Sequence, residues 1–121
     1  SCFSAGPRCP SLRFTFCPPA RPLAGCSPAF TFEYIDAMAR AAVANGLPKS
    51  LAVRIAAQAV VGAASLVLER DESPANLADL VQSPGGTTEA GVVALEEAGF
   101  GRATVKAVQA AIDRDIALQG N

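Results

Sequence analysis

The sequence predicts an all-α fold, a helical bundle behind an irregular N-terminal segment. Three observations predict it. From Ser27 onward the apolar residues recur at helical spacing. Ser-Pro pairs and single glycines fall where such helices would start and stop. No stretch alternates apolar and polar residues as a half-buried strand does. At 121 residues the chain suits one domain with a modest core.

Residues 1–24 are dense in Pro, Cys, Arg and Ser, with no helical or strand period. Prolines at 7, 10, 18, 19 and 22 oppose a continuous helix or a central strand. This segment is expected to be irregular, and residues 25–121 to form the helical domain. The first helix is expected at Ser27-Pro28, with Ser27 as N-cap and Pro28 at the first helical position. Ile35, Met38 and Ala42 mark its buried stripe, and Asp36 and Arg40 can pair across one turn. Gly46 suits the left-handed cap that ends it, and Pro48 opens the next helix.

The second helix, about Pro48 to Glu69, is apolar on nearly every side. Between Ile55 and Leu68 only Gln58, Gly62 and Ser65 interrupt. That run is shorter than the roughly 20 residues a bilayer needs. A helix apolar all round is buried all round. So small a chain cannot cover it, and a second subunit is the expected cover. Gly62, Ala63, Ala64 and Ser65 would let another backbone come close. Ser73-Pro74 repeats the start signal for a short helix to about Gln82. A fourth helix is expected from Thr88 to Ala98 and a fifth from Arg102 to Gln119. Val105, Val108, Ile112 and Ile116 give the fifth its apolar face.

Composition excludes several functions. Basic and acidic residues balance at 10 and 11 with no basic run, which argues against nucleic acid as a partner. There is no His, hence neither the commonest acid/base group nor the commonest metal ligand. The cysteines at 2, 9, 17 and 26 form no C-x-x-C pair, so neither a zinc site nor a redox pair is expected. Residues 1–22 lack the apolar core of a signal peptide, so free thiols are the expected state. No metal, no membrane and a cytoplasmic location are the corresponding expectations.

The loop "SPGGTTEAG" (83–91) is richer than a plain turn needs. Gly85 and Gly86 permit positive φ and close approach of the backbone to a ligand. The first amides of the following helix lack internal partners and carry the positive end of its dipole. Ser83, Thr87 and Thr88 add three hydroxyls. These features suit a pocket for a small carboxylate or phosphate. They suit equally an ordinary connection with Thr87 or Thr88 as N-cap. A P-loop is excluded, because no Lys follows the glycines.

"SPGGTTEAGVVALEEAGF" (83–100) resembles the signature segment of the Δ1-pyrroline-5-carboxylate reductases. "GCSPAFTFEYIDAMARAAVANGLP" (25–48) resembles the opening helix of that family's C-terminal dimerisation domain. "AAQAVVGAASLVLE" (56–69) and "SPANLADLVQ" (73–82) resemble the two helices that follow. The resemblance implies an all-α domain that forms an interlocked homodimer or higher oligomer. It implies hydride transfer from NADPH or NADH to the C=N carbon of pyrroline-5-carboxylate, giving proline. It also implies that Ser83, Gly86 and Thr87 contact the substrate carboxylate. Thr88 would place its hydroxyl near the imine nitrogen as the catalytic residue.

The family's cofactor site is a glycine-rich βα turn in a Rossmann domain, and no G-x-G-x-x-G or βαβ unit is found in these 121 residues. Residues 1–24 match no part of the family, which is the pattern of a truncated product or gene-model fragment. Two function classes follow. One is the C-terminal part of a reductase, inactive by itself. The other is a non-catalytic dimerisation module that pairs with itself or with full-length reductases.

Overall fold

A computed structural model of the chain describes residues 19–119. It is all-α, with no strand among the described residues. The helices are α1 (Ala20–Ala44), α2 (Lys49–Glu69), α3 (Pro74–Leu80), α4 (Thr87–Glu97) and α5 (Phe100–Gln119). Residues 19–31 and 99–119 belong to one compact unit, and Phe32–Ala98 form the other. Of the N-terminal segment expected to be irregular, residues 1–18 lie outside the described residues, as do Cys2, Cys9 and Cys17. Cys26 is an exposed free thiol.

The first helix departs from expectation at its start. It begins at Ala20, seven residues before the Ser27-Pro28 signal, and Pro28 lies inside it. Residues 20–24 are therefore helical. Pro22 explains the earlier start. It falls in the first turn of α1, where a missing N–H forfeits no helical bond, and it is buried. Arg21 in the same turn pairs with Asp115 of α5 at 3.7 Å. Pro28 removes the one bond that the Ala24 carbonyl would accept, and the helix runs through. One turn on, the Thr31 hydroxyl donates to the Ser27 carbonyl at 3.0 Å.

Several other boundaries match their signals. Gly46 adopts φ +104° and ends α1. Its N–H donates to the Val43 carbonyl at 3.0 Å, and that of Leu47 to Ala42 at 3.1 Å. Ser73 caps α3, its hydroxyl oxygen accepting from the Asn76 N–H at 3.1 Å. Gly99 follows α4 at φ +80°. The Asp36–Arg40 pair forms at 3.0 Å but is exposed, and such pairs contribute only about 0.3–0.5 kcal/mol.

The unit Phe32–Ala98 has a small interior. Its buried apolar residues are Ala39 of α1 and Ala52 and Ala56 of α2. Ile35, Met38 and Ala42, the expected stripe of α1, are only half-buried. The large side chains of α2 face outward: Leu51, Val53, Ile55, Leu66 and Val67 are exposed, with Val61 at 56% and Leu68 at 87%. A Cβ built on Gly62 would meet nothing within 4 Å. In the other unit, Val108 and Ile112 of α5 are half-buried. Val105 and Ile116, expected on the same face, are 69% and 57% exposed. A 100° helical period brings four residues to one stripe, but burial also needs a neighbour long enough to cover both ends of it.

The length of α2 matches expectation, but the apolar run from Ile55 to Leu68 understated its apolar stretch. The helix spans 21 residues and is long and apolar enough, by length and composition alone, to cross a membrane. Leu51, Ala52 and Val53 extend the apolar stretch by nearly a turn.

Candidate functional site

All four residues singled out in the sequence, Ser83, Gly86, Thr87 and Thr88, lie in one tight turn and the start of the helix it opens. The end of α3 sets the approach. The Gln82 side chain folds back to donate to the Ala78 carbonyl at 3.0 Å, and its N–H reaches Asp79 at 3.2 Å. Ser83-Pro84-Gly85-Gly86 then reverses the chain. The Gly86 N–H donates to the Ser83 carbonyl at 2.9 Å, closing a four-residue turn. Proline in its second position and a glycine at φ +73° in its third are the signature of a type II turn. Only glycine takes that third position without strain. Position 86 favours glycine for a different reason: a Cβ there would sit 3.0 Å from the Ser83 carbonyl oxygen, and the turn would have to give by a few tenths of an ångström.

The N-cap of α4 is Gly86, with φ −86° and ψ 178°. Neither Thr87 nor Thr88 is the cap, contrary to the connector reading of the loop. They are the first two helical residues, and no side chain caps from position 86. The backbone amides can be followed one by one. Gly85 N–H donates to the carboxylate of Glu89, 3.1 Å away. Gly86 N–H is taken by Ser83. Ala90 N–H makes the first helical bond, to the Gly86 carbonyl at 3.2 Å. The amides of Thr87, Thr88 and Glu89 thus stand before the first helical bond and have no partner among the described residues. Gly86 can contact a ligand, but its N–H is already committed. The donors for an anion are the three amides that follow.

The hydroxyl-bearing residues Ser83, Thr87 and Thr88 are all exposed. None of their hydroxyls makes a hydrogen bond among the described residues. The site therefore offers three N–H groups, three hydroxyls and the positive end of an 11-residue helix. It contains no cation and no base besides Glu89. Such a set suits a small anion presented end-on. It contains nothing that could transfer a hydride. Among the described residues no strand-to-helix glycine turn is present to receive a dinucleotide's pyrophosphate. No group of three or more His, Cys, Asp or Glu among them could hold a metal ion.

Glu89 is the residue that reading the loop for glycines and hydroxyls overlooks. Its signal is present in the sequence: an acidic residue three positions after the cap is the second half of a capping box. Here it reaches one residue further back than usual, to Gly85 rather than to the cap itself.

The family model described as pyrroline-5-carboxylate reductase dimerisation matches residues 19–118. Pyrroline-5-carboxylate reductase of Escherichia coli strain K12 is 48% identical over 92 residues, which are 76% of this chain and 34% of the relative. A crystal structure of 1-pyrroline-5-carboxylate reductase from Streptococcus pyogenes superposes with a TM-score of 0.79 at 38% identity, covering 83% of this chain and 39% of that one. The Plasmodium falciparum pyrroline carboxylate reductase, solved with NADP bound, gives 0.78 at 32% identity, covering 83% and 38%. The chain thus spans about a third of the length of the relatives it matches.

Proposed function

The chain belongs to the pyrroline-5-carboxylate reductase family, and from that premise we propose that it supplies the substrate loop and the dimer interface of a proline-forming reductase. The observation that carries this reading is the amide accounting at the start of α4. The turn uses Gly85 and Gly86 internally and leaves Thr87, Thr88 and Glu89 to an outside acceptor. A pyrroline carboxylate would dock its carboxylate on those amides and on the Ser83 and Thr87 hydroxyls. Its ring would lie over the Thr88 hydroxyl, beside the imine nitrogen.

A nicotinamide cofactor, NADPH or NADH, would supply the hydride to the C=N carbon, and the described residues offer no site to hold it. The nitrogen gains a proton, and the product is the secondary amine, proline. On this chain Thr88 orients or assists that protonation, and Ser83 fixes the carboxylate. The open apolar surface of α2 is covered by a second copy rather than by lipid. The matching family model is that of a dimerisation region, which favours a protein partner as the cover. A cytoplasmic homodimer or higher oligomer goes with this reading, without nucleic acid as a partner.

The test is a chimera in which residues 19–121, from the start of α1 and of the family match, follow a working nucleotide-binding domain from a related reductase. Thr88→Val keeps the side chain's shape and deletes its hydroxyl. Its kcat should fall, with the roughly 10²–10⁴-fold of a positioned proton donor as the ceiling. Ser83→Ala removes a hydrogen bond to a carboxylate, worth about 1.5–3 kcal/mol. Because that bond exists in ground and transition states alike, KM should rise about ten- to a hundredfold with kcat spared. If both variants keep wild-type kcat and KM in a folded chimera, the loop is only a connector. The chain would then be a dimerisation module.

A further inference from the structure

We propose that Glu89 is a positioning residue of this loop and sets how tightly it holds a carboxylate. The proposal rests on the substrate reading above and extends it to a side chain that touches no substrate, the Glu89 carboxylate; the backbone amide of the same residue is one of the donors. Three observations carry it. Glu89 is half-buried beside the exposed Ser83, Pro84 and Gly85. Its carboxylate accepts from the N–H of Gly85 at 3.1 Å. Gly85 is the one residue of the turn at positive φ, +73°.

The hydrogen bond ties the least restrained residue of the turn to the first turn of α4. With Gly85 fixed, the Gly86 N–H stays on the Ser83 carbonyl at 2.9 Å, and the amides of Thr87 and Thr88 point the same way at all times. Without it, the glycine pair regains its conformational freedom, and an arriving carboxylate must order the loop as it binds. The same carboxylate is also a negative charge within one helical turn of the anion's place. Glu89 therefore acts in two opposed ways: it prepares the site through its hydrogen bond and weakens it through its charge.

Glutamine separates the two, because its amide oxygen can still accept from Gly85 while the charge is gone. Alanine removes both. A unit charge about 6 Å away in a water-like medium shifts anion affinity about threefold. A lost hydrogen bond of ordinary net strength shifts it about tenfold. For L-proline as the carboxylate probe, Glu89→Gln should bind about threefold tighter than wild type. Glu89→Ala should bind about threefold weaker, so the two variants differ about tenfold.

The experiment is an amide-resolved NMR titration of the full 121-residue chain with L-proline, following Thr87 and Thr88. Hydrogen exchange of the Gly85 amide is measured in the same samples without ligand. We expect the affinity order Gln, wild type, Ala, with Gly85 exchange faster by about tenfold in Ala and near wild type in Gln. Equal affinities for Gln and Ala, or unchanged Gly85 exchange in Ala, would overturn the role of Glu89 while leaving the substrate loop standing. If L-proline moves neither threonine amide in the wild-type chain, the substrate reading itself fails and this role with it.

Discussion

Gly62→Leu should act in opposite directions on the helix and on the assembly. Gly62 lies in the middle of α2, is exposed, and has open space where a Cβ would go. Within one copy a leucine therefore meets no obstacle. Replacing a mid-helix glycine with a good helix former should strengthen α2 by about 0.5–1 kcal/mol. That gain is shared by free and associated copies and cancels in the association equilibrium. If a second copy packs against the stretch Gly62 to Ser65, each leucine forces the two backbones apart. Overpacking costs about 1–3 kcal/mol per site, and a two-fold dimer contains two sites. The dimer should lose at least about 2 kcal/mol, a roughly thirtyfold rise in Kd. Sedimentation across a range of concentrations reads the Kd, and circular dichroism reads the helix. An unchanged or tighter dimer would show that the small-residue stretch of α2 is not where copies meet.

Other substitutions test the local architecture. Gly85→Ala places a side chain at φ +73° and should destabilise the loop by about 1–2 kcal/mol; a neutral result in urea unfolding would mean that the turn relaxes to another type. Ser73→Ala deletes the acceptor of the Asn76 N–H and should lower stability by about 1 kcal/mol, while Ser73→Asp, which restores an acceptor, should recover most of it; equal losses in both would remove the cap as the cause.

Much of this structure is legible in the residues, and the exceptions have physical causes. Ser73-Pro74 and Gly46 act within a few residues of themselves, so their caps could be read directly. Ser27-Pro28 carries the same local signal as Ser73-Pro74 yet lies inside a helix. What decides between them is upstream: Pro22 already occupies a first-turn position, and Arg21 has an ion-pair partner in α5. Such a partner, distant in sequence, is invisible to a reading of neighbours. The turn at Gly85 was readable from its proline and glycines. Which threonine would cap α4 was not, because Gly86, Thr87 and Thr88 are all acceptable caps. In the structure Gly86 closes the turn through its N–H and its carbonyl accepts the first helical bond, which makes it the cap. Periodicity placed Val105 and Ile116 on one face of α5, but periodicity says nothing about whether a neighbour reaches them.

The interior of Ala39, Ala52 and Ala56 has a consequence for how long this protein lasts. The buried apolar residues of the unit Phe32–Ala98 are all alanines, while the large side chains of α2 stay exposed. In the proposed assembly, a partner's cover of α2 would add to the stability of each copy. For such a chain dilution is itself a denaturant: each tenfold drop in concentration removes about 1.4 kcal/mol from the assembled state. The melting temperature becomes a function of how much protein is present. In a cell, copies made slowly would meet a protease before they meet each other. Steady-state abundance would then climb more steeply than the rate of synthesis.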